Sequence, residues 1–200
     1  MKKLAKVTSI IIGSIMIILL LGFALYGVIL TPKADKIRTD SVGDSYYIAT
    51  SSYIDYQESN DCSAYATAYV LRCLGDSVDG KELYPKMTRS FGMMTAHSVV
   101  KVVEKQGYAA KAYHGNIDTL KQRLNSGVPI ICLVNNGNDT HYIVVVGYDA
   151  DYVYIVDSIR ENVNVADCDL YNRKVDINTF MSLWKNNFYA VNNVYIVIEK

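Results

Sequence analysis

Hydrophobic and polar positions divide the chain into an apolar block, a mixed stretch and a long patterned region. From Val7 to Leu30 no charged side chain occurs. Residues 31–52, with Pro32, Gly43, several Ser and Thr and both signs of charge, read as a linker. From Tyr53 onward helical and extended periods alternate. Apolar groups recur at helical spacing after Asn60 and Asp61, through an Ala-rich run that Gly75 ends. They recur again at Thr95–Gln106 through Val99, Val100, Val102 and Val103, at Asn116–Leu124 with Asn116 or Asp118 as cap, and behind Asp176 through Phe180, Leu183 and Trp184. Asp76–Phe91 reads as loop with a short helix broken at Pro85. Ile130–Val134 is a short, wholly apolar strand of the kind that lies mid-sheet, and Val191–Glu199 is a last strand. His141–Asp157 consists of two β-branched and aromatic runs split by Gly-Tyr-Asp-Ala-Asp, a hairpin signature, with Asn135–Thr140 as a polar loop before it. Helices mostly first and an antiparallel sheet mostly last predict an α+β domain with a cleft between the two.

The apolar block is long. Its 24 residues would make a helix of about 36 Å, enough for a hydrocarbon core of about 30 Å. A cleaved signal peptide is the competing reading, but Gly22-Phe23-Ala24 is a poor small-x-small site inside a segment that stays apolar beyond it. The expected organisation is therefore a short tail at 1–6, a signal-anchor at 7–30, a linker at 31–52 and a domain at 53–200. Lys2, Lys3 and Lys6 favour a cytoplasmic tail and an extracytoplasmic domain at the cell membrane.

Charge narrows the partners. The 20 basic and 20 acidic residues cancel overall. Six Lys or Arg and one Asp lie within residues 1–38, which leaves 14 basic against 19 acidic residues beyond, a net of −5. A mildly acidic domain without a basic stripe is not expected to bind nucleic acid. The four cysteines do not form a disulfide framework: Cys62 and Cys73 lie about 16 Å apart along one helix, while Cys132–Cys168 stays open. No Cys-x-x-Cys or close His pair suggests zinc, and no cofactor is expected. The 17 tyrosines read as core and groove lining, Tyr65 and Tyr69 as packing one helical turn apart.

Candidate chemistry starts at Cys62, which falls in the first turn of its helix. Unpaired backbone amides and the positive end of the helix dipole favour a thiolate there. A hairpin turn centred between Asp149 and Ala150 sets residue n opposite 299 minus n, so Asp157 faces Tyr142 and lies beside His141. An imidazole that accepts a thiol proton needs a partner to fix its tautomer and stabilise its charged form, and a carboxylate is such a partner. His97 reads as a residue of a structural helix, and His114 as a turn residue.

The order Gln57, Cys62, His141, Asp157 resembles the papain-like cysteine peptidases. The phrases His141-Tyr142 to Asp157, with Phe180 and Trp184 after them, resemble most closely the bacterial peptidase C39-like (double-glycine peptidase-like) family. The likeness runs from about Tyr53 to Lys200. It implies a papain-like fold, a nucleophile at Cys62, a general base at His141, an orienting Asp157 and an oxyanion donor at Gln57. Ser63 departs from the glycine many members carry after the nucleophile, and a side chain there would crowd the sulfur. The expected function is a membrane-anchored cysteine peptidase acting on a peptide or protein. The alternatives are a silent peptide-binding domain of the same fold and a transglutaminase-like acyl transferase.

Overall fold

The computed structural model describes residues 2–39, 42–89, 94–137, 139–186 and 191–199. The chain falls into two compact units, Met1–Thr31 and Pro32–Lys200. The first is α1 (Lys2–Leu30), a single helix of 29 residues. Side chains at 2–10, 23, 26 and 28–30 lie outside the described residues. Among the described residues no helix is both long and apolar enough to cross a membrane, so the spanning helix expected over Val7–Leu30 is not shown.

The second unit holds five helices and eight strands among its described residues. The helices are α2 (Cys62–Cys73), α3 (Gly80–Leu83), α4 (Ala96–Lys105), α5 (Ile117–Leu124) and α6 (Ile177–Trp184). The strands are β1 (Lys33–Ala34), β2 (Tyr46–Tyr47), β3 (Ala109–His114), β4 (Ile130–Asn136), β5 (Asp139–Tyr148), β6 (Tyr152–Val156), β7 (Arg173–Asp176) and β8 (Val194–Glu199). They form one sheet in the order β1-β3-β8-β4-β5-β6-β7, with β2 paired to β5. Among the described residues only the β1–β3 pair is parallel.

Both faces of the sheet centre are covered. On one face Tyr69, Val70 and Leu71 of α2 and Val99 and Val103 of α4 pack with Leu133, Tyr142 and Val144. On the other, Leu120 and Leu124 of α5 and Phe180 and Trp184 of α6 pack with Cys132, Val134, Ile143 and Val145. Two-sided burial is why β4 and β5 read as continuous apolar runs rather than alternating ones. The helix starts follow their local signals. Asn116 and Thr119 form a reciprocal capping box on α5, Thr95 accepts from the Ser98 amide on α4, and Asp176 accepts from the Thr179 amide on α6.

Several sequence expectations change. The stretch expected as a linker contributes β1 and β2, and Asp35 within it is tied to Arg123 by two contacts of 2.8 and 2.9 Å. These short segments carry no amphipathic pattern, and the sheet rather than their composition orders them. The polar loop expected at Asn135–Thr140 is instead the tip of the β4–β5 hairpin, with Asn135 paired to Thr140 and Asn136 to Asp139. His114 ends β3 rather than sitting in a turn, its Nδ1 2.6 Å from the Asn192 carbonyl.

The hairpin register also differs. Tyr148 pairs with Val153 and Gly147 with Tyr154, but Val145 pairs with Ile155 and Val144 with Val156, so Val146 is the extra residue of a β-bulge. The Val146 carbonyl accepts the Ile48 amide just past β2. A Cβ on Gly147 would come within 2.8 Å of the Tyr46 carbonyl oxygen, so only glycine lets β2 dock beside the bulge.

Candidate active site

Cys62 is the first residue of α2, directly after Asp61. Asp61 holds the N-cap position without a side-chain cap bond; its Oδ1 accepts the Ser59 amide at 3.3 Å instead. From Ser63 to Leu71 every α2 side chain is buried, which leaves Cys62 as the half-buried residue where the helix meets the cleft. Ser63 does not crowd the sulfur, because its hydroxyl is turned onto the Met87 sulfur at 3.7 Å. On the opposite wall, the Tyr142 amide of β5 donates to Cys62 Sγ at 3.5 Å.

The β-bulge decides whether His141 and Asp157 meet. In a regular hairpin with the two-residue turn at Ala150 and Asp151, an even separation places two residues on opposite faces, and these two are 16 apart. The extra residue at Val146 shifts the parity, so both side chains lie on the α5–α6 face. The regular pairing of n with 299 minus n, which sets Asp157 opposite Tyr142, would turn the two side chains apart; the observed register replaces it. His141 Nε2 and Asp157 Oδ1 are 2.7 Å apart, with side chains 3% and 0% exposed.

Asp157 is fully engaged. Oδ1 also accepts the Ile159 amide at 2.9 Å, while Oδ2 accepts Asn162 Nδ2 at 3.0 Å and Arg173 Nη1 at 2.7 Å. Asn172 clamps the backbone on both sides, accepting the Asp157 amide at 2.8 Å and donating to its carbonyl at 2.7 Å. Burial would raise the Asp157 carboxyl, but the hydrogen bond and charge of His141, the Ile159 amide and Arg173 outweigh it and hold the group below its ordinary value. Burial would likewise depress His141; bonding and charge from Asp157 and Cys62 overcome it and raise the imidazole to about 9. With Nε2 engaged by Asp157, Nδ1 is the ring nitrogen left for the thiol.

Gln57 reaches the same cleft. Its backbone amide donates to the Ser158 carbonyl at 3.0 Å, and its Oε1 accepts the Ser158 hydroxyl at 2.7 Å. This fixes which end of the side-chain amide carries the donors, and Nε2 donates to the Ser59 carbonyl at 2.6 Å. The cleft, about 390 Å³, is lined by Gln57, Cys62, Ser63, Met94, His141 and Tyr142 among others. All four residues expected at the site therefore border or support one cleft. Ser158, Asn162, Asn172 and Arg173 escaped the sequence reading because they lie in or just after a polar run without periodicity. The only signal was polarity itself, a run of amides and charges directly after a buried strand.

The other cysteines are free, so the open Cys132–Cys168 pairing is not formed. Cys132 lies fully buried in β4, where burial pushes its thiol well up, and burial raises Cys73 to about 11. Among the described residues no group of His, Cys, Asp or Glu is placed to hold a metal ion.

Residues 50–193 match the family model described as the peptidase C39 family. In fold the domain is similar to a double glycine motif protease from an AMS/PCAT transporter, solved in complex with the leader peptide (19% identity, TM-score 0.55, covering 76% of this chain and 94% of that one). It is also similar to a putative C39-like peptidase from Bacillus anthracis (16%, TM-score 0.61, 79% and 98%). A cysteine protease of Carica candamarcensis shares the fold (13%, TM-score 0.55, 80% and 99%), which places the α+β architecture with the papain-like proteases. No curated protein matches the chain. With the family model spanning well over half of its length, the chain belongs to the peptidase C39 family of cysteine-type peptidases.

Proposed function

We propose that this peptidase is anchored in a membrane by α1 and hydrolyses peptide bonds through Cys62, His141 and Asp157, with Gln57 as oxyanion donor. The observation that carries the catalytic part is the His141–Asp157 pair at 2.7 Å, whose imidazole also bonds the thiol at the start of α2. His141 takes the thiol proton, and Sγ attacks the scissile carbonyl. The developing oxyanion is met by Gln57 Nε2 and by the backbone amide of Cys62, which as the first residue of α2 has no acceptor within the helix. His141 then protonates the departing amine. Water, deprotonated by the same imidazole, releases the second product from the thioester and restores the thiol. A peptide substrate is supported by the AMS/PCAT protease, whose structure contains a leader peptide.

Selective alkylation tests the site. Iodoacetamide at pH 6 is expected to label Cys62 before Cys73, Cys132 or Cys168, and His141→Ala is expected to slow that labelling while leaving the other three unchanged. A Cys62 that reacts no faster than the others in a folded domain overturns the triad.

The anchor rests on separate observations. Val7–Leu30 carries no charge, Lys2, Lys3 and Lys6 precede it, and Ile11, Ile15, Leu19, Leu20 and Leu25 on α1 are all more than half exposed. The full chain is expected in the membrane fraction after carbonate washing, with the domain removed when intact cells are treated with protease. Recovery in the soluble fraction refutes the anchor; a domain cut only after lysis refutes the outward orientation.

A further inference from the structure

We infer that Arg173 is a positioning residue for the reaction: its guanidinium, set on β7 against the outer oxygen of Asp157, keeps that carboxylate ionised and aimed at His141. This rests on the triad reading above. Three neighbouring strands build the row. Arg173 pairs with Ile155 on β6, so Asp157, two residues further along the same chain, is its diagonal neighbour on the same face. His141 on β5 completes the row. The Arg173 side chain is 16% exposed and meets Oδ2 at 2.7 Å, while His141 meets Oδ1 at the same distance. One oxygen thus serves the imidazole and the other the guanidinium.

The electrostatic need is specific. Once the thiol proton has passed to His141, the buried site holds two anions, Cys62 and Asp157, and one imidazolium. Arg173 supplies the second cation, so the row alternates in sign and is neutral overall. Removing it leaves a buried net negative charge, which low-dielectric surroundings relieve by protonating an anion. The ionisable groups bonded to Asp157 are His141 from β5 and Arg173 from β7, and His141 faces Cys62 from α2. The turn after β6 offers neutral donors, Ile159 N and Asn162 Nδ2. Of its charged residues, Arg160 is stacked on the Tyr56 ring at 4.0 Å and Glu161 is exposed.

The sign of the effect follows. A cation that holds a carboxyl below its ordinary value, once removed, lets that carboxyl take up a proton at higher pH. Asp157 then no longer supports the imidazolium. In R173Q the acid limb of kcat/KM is therefore expected to move upward by about one unit. R173K, which restores charge but not the planar fork, is expected to return most of that shift. N164A serves as a control. Asn164 bonds the backbone of Lys174 on both sides, at 2.8 Å, so its removal loosens the same loop without touching Asp157, and the limb should stay at the wild-type pH.

The experiment is a pH–rate series on the purified full chain and these variants, with thermal unfolding recorded for each. R173M, which keeps the apolar stem and removes the charge, replaces R173Q if the latter does not fold. A rate lowered equally at every pH, or an R173K limb displaced as far as that of R173Q, overturns the assignment. Cleavage that survives Cys62→Ala overturns the triad reading instead, which separates the two failures.

Discussion

Replacing Cys62 by Ala is expected to lower kcat/KM by on the order of 10⁵ to 10⁶ while leaving the melting temperature close to that of the parent. The loss is large because, among the described residues, Cys62 is the nucleophile placed against His141. The stability change is small because Cys62 is only half-buried at the helix start, whereas the nine residues after it carry the packing of α2. His141→Ala is expected to cost nearly as much, and the double variant little more than either, since the two groups act as one unit. Gln57→Ala falls between, with kcat lower by about 10² to 10³ and KM nearly unchanged, because the bond it makes strengthens only as the oxyanion develops. Steady-state cleavage of a peptide library by the parent and the four variants measures all of this. A Cys62→Ala enzyme keeping more than about a thousandth of the parent rate would rule out this nucleophile.

The largest stability effect is expected at Trp184. Its side chain is fully buried between α6 and the sheet, with the Phe180 ring 5.4 Å and the Tyr195 ring 5.9 Å away, and its indole N–H donates to the Val194 carbonyl at 2.9 Å. Trp184→Ala removes that aromatic contact and leaves a cavity, at a cost of about 3 to 5 kcal/mol. Against a total of about 5 to 15 kcal/mol for a typical domain, this is a large fraction of what holds the fold together. A fall in melting temperature of roughly 6 to 20 °C follows. Trp184→Phe keeps most of the ring and gives up the hydrogen bond, so about 1 to 3 kcal/mol is expected. Urea unfolding of both variants checks the order; an alanine variant within about 1 kcal/mol of the parent would show that the site collapses and fills the space.

The parts of this domain that were legible in the sequence are those specified by local signals. The start of α2 is marked by Asn60 and Asp61, its end by Gly75, and these place Cys62 in the first turn. The unbroken apolar run of β4 marks a strand covered on both faces. What local patterns did not carry is how distant segments meet. The register of β5 against β6 depends on a bulge, and because both faces of these strands are buried, Val and Ile are acceptable in either register. Hydrophobicity therefore gave no sign of where the extra residue lies. The two-residue strands β1 and β2 are too short for any period to appear. Ala109–His114 forms β3 with three alanines and a lysine among six residues, a weak strand composition that pairing with β8 overrides. Asn162, Asn172 and Arg173 are ordered by a carboxylate between five and sixteen residues before them, and that relation is visible only in three dimensions.

The position of β8 bears on when the domain becomes itself. It lies between β3 and β4, pairing with Ala109–His114 on one side and with Ile131 and Cys132 on the other. Among the eight described strands it is also the last in chain order, and so the last of them to leave the ribosome. Until it emerges, β3 has only the two-residue β1 beside it and the β4–β7 block has a bare edge beside β4, even though Cys62, His141, Asp157 and Arg173 have already been made. Folding of the sheet thus waits for the end of this segment's synthesis, and a growing chain holds its peptidase residues in an unclosed sheet. The unfinished edge is a site for strand pairing with other nascent chains. A ribosome-arrested chain stopped before Val194 is accordingly expected to be protease-sensitive throughout the domain, and one released beyond Glu199 to resist.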